Sequence, residues 1–166
     1  MSGSARDGRI RLPLLDRLLD ADPAAPVDPP ATQAYAVELL RQAVRRDVEA
    51  LLNARRRRVP LPSGLGALPV SPLGYGIPDP TAGSFTEDER REALAAEVEA
   101  TLRRFEPRLT NIRVTLAKAQ RERADTLDRT LRLRVEAVLR SDPVPEQISF
   151  ETQLRPVTLD VSVREG

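Results

Sequence analysis

The sequence predicts an α+β, two-layer domain: two main helices packed on one face of a mainly antiparallel, four-stranded sheet. Three observations carry that prediction. The prolines cluster and leave long gaps, the gaps before Pro107 repeat their apolar residues at helical spacing, and the chain after Pro107 repeats them at a period of two. Of fifteen prolines, five fall between Pro13 and Pro30 and six between Pro60 and Pro80, whereas 31–59, 81–106 and 108–142 contain none. Proline has no N–H to give to a helix, so regular structure can run only in the gaps.

Residues 1–30 read as an N-terminal amphipathic segment, with Leu12, Leu14, Leu15, Leu18 and Leu19, and an Ala- and Pro-rich tether. So short a segment buries little by itself and has to dock on the domain or on another protein. Residues 31–166 read as one α+β domain. In its first gap Val37, Leu40, Val44, Val48 and Leu51 recur three or four apart, widened by Leu39 and Leu52, which is the stripe of an amphipathic helix. Arg55-Arg56-Arg57-Arg58 falls at the C-terminus of that helix, where cations complement its dipole.

From Arg58 to Thr86 the chain is rich in Pro and Gly yet carries Leu61, Leu65, Leu68, Leu73 and Ile77, so it reads as an ordered loop packed by its own aliphatic side chains. Thr86 followed by Glu89 has capping-box spacing, and Leu94, Val98, Leu102 and Phe105 continue a second helix. Pro107 forces Glu106 toward extended geometry and stops it. Ile112 to Leu116, Leu131 to Leu139, Ile148 to Leu154 and Val157 to Val163 then alternate apolar with polar, as strands covered on one side do. A sheet of that kind is expected to keep free edges.

Composition narrows the function. Among 166 residues there is no Cys, His or Trp, and Lys118 is the single lysine. Ser-His-Asp and Cys-His triads and Cys/His zinc sites are therefore excluded. With 26 basic and 25 acidic residues the net charge is +1, which gives no broad basic footprint for nucleic acid, and the few aromatics are not interleaved with cations. The remaining acid–base chemistry is a carboxylate pair, as in a muramidase-like peptidoglycan hydrolase. Glu106 is its best single candidate, and none of Asp79, Asp125, Asp128 and Glu136 stands out as its partner. No cofactor or metal is expected. No apolar run has the length of a signal peptide or a membrane span.

The densest stretch is Phe105-Glu106-Pro107-Arg108-Leu109, which holds a carboxylate and a guanidinium on either side of a rigid proline. Spacing allows two readings: a local ion pair, or two outward charges that dock another protein.

Several motifs, in order, resemble the TssE subunits of type VI secretion baseplates, in the contractile-tail baseplate wedge family that is called phage lysozyme-like. They are Leu14-Leu15-Asp16-Arg17-Leu18, the helix end through Leu51-Leu52-Asn53, Gly74-Tyr75-Gly76-Ile77-Pro78-Asp79, Glu106-Pro107-Arg108-Leu109 and Ile148-Ser149-Phe150-Glu151-Thr152. The family usually has Thr where Ala54 stands. The resemblance implies a structural, non-enzymatic wedge component in the cytoplasm, in the baseplate on the inner face of the cell membrane, without insertion into it. Its implied partners are TssF and TssG, which build the wedge core bundle, TssK in the wider wedge, and the sheath proteins TssB and TssC. It implies that Glu106, Pro107 and Arg108 hold the core bundle, and that the sheet accepts strands from the first sheath ring. Leu14, Leu15 and Leu18 are the further partner-binding candidates. Removing either charge of the motif is expected to leave the domain folded and to weaken attachment.

Overall fold

A computed structural model describes residues 13–18, 24, 32–57, 59–62, 64–79, 88–117, 130–141, 144–155 and 160–166. Its elements are α1 (Leu14–Leu18), α2 (Gln33–Asn53), α3 (Asp88–Phe105), β1 (Leu109–Leu116), β2 (Leu131–Leu139), β3 (Glu146–Leu154) and β4 (Val161–Glu165). The four strands form one antiparallel meander in the order β1-β2-β3-β4.

α2 starts at Thr32, whose hydroxyl caps the N–H of Tyr35, and ends at Ala54, which is already extended. Its stripe of Leu40, Val44, Val48, Leu51 and Leu52 is buried, and α3 buries Leu94, Val98 and Leu102. Both stripes meet the inner sheet face, where Leu133, Val135, Leu139, Phe150, Leu154 and Val163 are almost fully enclosed. Each large aliphatic side chain removed from water in this layer contributes about 1.5–3 kcal/mol. The opposite sheet face is polar, with Arg113, Arg132, Arg134, Glu136, Glu151 and Arg164 exposed. The α+β two-layer architecture is thus as the periodicities predict.

Four local features differ from the expectations or lie outside what is described. β1 begins at Leu109, three residues before the alternation becomes visible. Its register slips between Thr110 and Arg113, where Asn111 has φ of 51°, and this bulge puts both Leu109 and Ile112 on the buried face. A spacing of three is unreadable as a strand. In the described part of the long loop Leu65 and Leu73 are exposed, Leu61 and Leu68 are half-buried, and only Ile77 enters the core, so packing by its own aliphatics is partial. What orders it is a succession of tight backbone turns, including 3-10 turns at Leu68–Val70 and Pro72–Gly74. The arginine run begins past the end of α2. Arg55 still donates to the Leu52 carbonyl at 2.7 Å, and Arg56 reaches Glu97 of α3 at 2.8 Å. Thr86, Val157, Leu159 and Arg58 lie outside the described residues.

The sheet edges are the main correction. Each helix lies over one edge strand, α3 over β1 and α2 over β4, and its side chains reach round to main-chain groups there. On β4, Asn53 exchanges both amide bonds with Val161 (2.8 and 2.9 Å) and Glu49 accepts from the Val163 N–H at 3.1 Å. On β1, Glu99 accepts from the Val114 N–H at 2.9 Å and Arg103 donates to the Ile112 carbonyl at 3.0 Å. Neither edge is left simply open, as the one-sided pattern alone suggests.

Candidate partner-binding site

Three motifs far apart in the sequence meet at one place. α2 contributes Asp47 and Leu51, the loop contributes Tyr75, and the turn between α3 and β1 contributes Phe105, Glu106, Pro107 and Arg108. Together with Pro13, just before α1, they line a cavity of about 420 Å³.

The loop reaches this place because of Gly76. Its φ is +95°, a conformation that favours glycine, and Ile77 then pairs in parallel with Arg55. The Ile77 N–H donates to the Ala54 carbonyl at 3.1 Å and the Arg56 N–H to the Ile77 carbonyl at 2.9 Å. That short bridge ties the loop to the end of α2 and presents the Tyr75 ring edge-on to Phe105, 5.4 Å between centroids at 74°.

Glu106 ends α3: its N–H still donates to the Leu102 carbonyl, and its own carbonyl accepts from the Leu109 N–H. Its side chain turns inward and is 4% exposed. Arg108 holds it with both prongs, Nε to Oε1 at 2.6 Å and Nη2 to Oε2 at 2.5 Å, and the Arg108 N–H adds a third bond at 3.2 Å. Arg108 Nη2 also donates to Asp47 at 2.8 Å, so one guanidinium joins the turn to α2.

The chain of charge continues. Arg46, beside Asp47, bonds it at 3.0 Å and reaches Asp16 of α1 with two prongs at 2.6 and 3.2 Å. Asp16, Arg46, Asp47, Arg108 and Glu106 therefore alternate in sign from the N-terminal helix to the turn. The Arg46 hydrogen bond holds the Asp16 carboxyl below its usual value, and burial opposes it. For Arg46 the bonds it donates to Asp16 and Asp47 raise the pKa. At Arg108 burial disfavours the charge, but Glu106 and Asp47 outweigh it and the pKa rises.

Both readings of the Glu-Pro-Arg turn meet this geometry. The pair is local, since Glu106 faces inward and Arg108 is its partner, so the picture of two outward charges does not describe the structure. The turn nevertheless forms a wall of the cavity, and Pro107 is exposed there. Arg108 also ties α2 to the α3–β1 turn through Asp47, so each charge of the motif bears on the fold as well as on any attachment. Both oxygens of Glu106 bond Arg108 and the side chain is buried, so the carboxyl does not stand open to solvent in a cleft as the hydrolase reading pictures it. Glu136 lies on the exposed sheet face opposite Arg113, and Asp125 and Asp128 lie outside the described residues. Among the described residues no group of acidic side chains is arranged to hold a metal ion, and no helix is long and apolar enough to cross a membrane.

α1 displays its leucines. Leu14, Leu15 and Leu18 are 69%, 58% and 73% exposed, while Asp16 anchors the helix to Arg46. They adjoin the cavity through Pro13. Asp47 and Asn53 were not singled out from the sequence as binding or edge-covering residues. Asn53 stands in the Leu-Leu-Asn helix end, which was a signal of sorts; Asp47 follows an arginine pair and carries none.

Tyr75 reports on the cavity. Burial raises its pKa, and the nearby negative charges of Asp47 and Glu106 raise it further. Because the folded value lies above the unfolded value of about 10, this contribution to stability is complete below that pH and is lost as pH rises through the folded value. Tyr35→Phe leaves Tyr75 as the single tyrosine. Its ultraviolet titration is expected to show one midpoint above 10 that falls back on denaturation; equal midpoints in the two states would contradict the placement.

A model of the family described as baseplate wedge protein gp25 matches residues 38–144. The match spans well over half the chain, from α2 through β2, and includes the loop, the Glu-Pro-Arg turn and Asp47. No curated protein and no solved structure shows significant similarity to the chain.

Proposed function

We propose, because this chain belongs to the baseplate wedge protein gp25 family, that it is the TssE-type wedge subunit of a bacterial type VI secretion baseplate. In this reading it acts at the cytoplasmic side of the cell membrane as a structural joint. One face attaches to the TssF–TssG core bundle of the wedge, with TssK further out. The sheet anchors the first ring of sheath proteins TssB and TssC by strand addition. The family match supports the baseplate role; the sheath, core-bundle and location assignments are the reading built on it.

The observation that carries the core-bundle contact is the convergence of Pro13, α2, the Tyr75 loop and the Glu-Pro-Arg turn on one cavity, with the three exposed leucines of α1 following directly on Pro13. Apolar residues that stand out from a helix, next to a cavity lined by both apolar and charged side chains, suit a helical partner that inserts a side chain. The charge chain fixes α1 relative to that cavity, so both present a single surface. Glu106, Pro107 and Arg108 shape the cavity wall, and Leu14, Leu15 and Leu18 supply the apolar contact.

The test is co-purification with TssF and TssG. Leu14→Asp/Leu18→Asp is expected to reduce TssF–TssG recovery at least about tenfold while the urea midpoint stays unchanged, since both side chains are already in water. Full recovery by that variant would remove α1 from the interface. Peptidoglycan cleavage by the purified chain that disappears in Glu106→Gln would favour the hydrolase instead.

A further inference from the structure

The two sheet edges are covered by different kinds of contact, and the difference assigns them different roles. We infer that β1 is the edge that accepts a partner strand, and that Glu99 and Arg103 form a latch on it that an incoming extended segment of a sheath subunit replaces. The inference rests on the sheath-anchoring reading above and adds to it the edge and the way that edge is kept closed.

The latch imitates a neighbouring strand. Glu99 offers an acceptor to the Val114 N–H and Arg103 a donor to the Ile112 carbonyl, which are the groups a strand would supply from its own backbone. One helical turn separates the two residues on α3, and they pair with each other at 2.6 Å. Both are charged ends of flexible side chains; Arg103 is 61% exposed and Glu99 23%, so release moves a largely covered carboxylate and an already solvated guanidinium into water, where charge is favoured. Two bonds are broken, and the strand that enters restores both.

β4 is held more completely. Its five residues are gripped at Val161 by two bonds from Asn53, at Val163 by Glu49, and at Glu165 by an ion pair to Arg41. The Asn53 amide also bonds the Glu49 carbonyl of its own helix at 2.9 Å, so it has little freedom to swing away. Opening this edge would unmatch the short, uncharged Asn53 amide and, in addition, release the Glu49 carboxylate and the Arg41–Glu165 pair, so more contacts are lost there than at β1.

The geometry of β1 also describes the occupant. The bulge at Asn111 breaks the regular ladder, so pairing starts at Ile112 and runs toward Leu116. Ile112 and Val114 face the core and Arg113 and Thr115 face solvent. A fitting segment alternates in the same way, with apolar residues on the helix side and an acidic residue beside Arg113.

Residue-resolved amide exchange on the full chain, alone and with purified TssB–TssC, tests the inference. Glu99→Ala/Arg103→Ala is expected to speed exchange of the Val114 N–H at least about tenfold in the isolated chain and to leave Val161 and Val163 unchanged. The same variant is expected to bind TssB–TssC at least as tightly as the parent, with new protection at Val114 and Leu116. Glu99→Ala alone, which removes the acceptor of the Val114 N–H, gives the same exchange readout should the double variant fold poorly. Protection confined to β4, or tighter binding by Glu49→Gln/Asn53→Ala instead, would overturn the edge assignment and leave the sheath reading standing. Failure of the parent and of every variant to bind TssB–TssC would overturn both.

Discussion

Arg108→Ala is expected to lower the stability of the isolated chain by about 3 kcal/mol, seen as a drop in the urea midpoint at unchanged slope. The reason is asymmetric. The Glu106 side chain is 5% exposed, and Arg108 supplies three bonds to it, two from the guanidinium that neutralises it and one from the main-chain N–H. Truncating Arg108 leaves that carboxylate buried with only the main-chain bond, and it also releases Asp47, which ties α2 to the turn. Since Arg108 itself is a quarter exposed, some water reaches the vacated place, which puts the loss at the lower end for buried pairs. Glu106→Gln combined with Arg108→Ala removes the stranded charge and is expected to recover about half of the loss. A midpoint that does not move in Arg108→Ala would mean that the pair is incidental to the fold. The outcome also governs how assembly experiments on this motif are read: a strain that carries Arg108→Ala can lose secretion through the domain's stability alone. Leu14→Asp/Leu18→Asp is therefore the cleaner probe of the interface.

How much of this was legible in the sequence follows from which forces leave a periodic trace. Burial does. The stripes at Val44, Val48 and Leu51 and at Leu94, Val98 and Leu102, and the alternation through Leu133, Val135 and Phe150, all gave the right elements on the right face. Where geometry broke the period, the reading broke too: the bulge at Asn111 hid the first residues of β1. The exposed Leu65 and Leu73 misled for the opposite reason, because aliphatic composition says that burial is available and not whether it happens. Side-chain bonds to backbone leave no period at all. Glu49, Asn53, Glu99 and Arg103 look like ordinary polar positions on helix surfaces, and only the placement of each helix over an edge strand gives them their partners. The candidate site was half legible. Its motifs could be named, and that the Tyr75 loop and the Glu-Pro-Arg turn share one cavity could not, since their meeting depends on a single bridge at Ile77.

That bridge makes Gly76→Ala the second large effect expected. A Cβ built on Gly76 would lie 2.4 Å from the Ala54 carbonyl oxygen and 2.7 Å from its carbon, both rigid main chain, at a φ of +95° that L-residues rarely adopt. No side-chain rotation relieves such a clash, so the backbone has to move. The Ile77 N–H bond to that same Ala54 carbonyl is the first to suffer. Ile77 is fully buried, and drawing it out gives up about 1.5–3 kcal/mol of burial in addition to the strain. A total loss of about 3 kcal/mol is expected, with Tyr75 displaced from Phe105 and its raised pKa falling toward the unfolded value. Gly66→Ala is the control in the same loop: its Cβ meets nothing within 4 Å, and the change is expected to be neutral or slightly stabilising, because alanine narrows the unfolded ensemble. If both variants unfold at the parent's urea concentration, the loop is not held by the bridge, and the cavity loses its argument for a fixed shape. If Gly76→Ala alone falls and TssF–TssG recovery falls with it, while Gly66→Ala keeps both, then the position of Tyr75 is part of the surface that the core bundle meets.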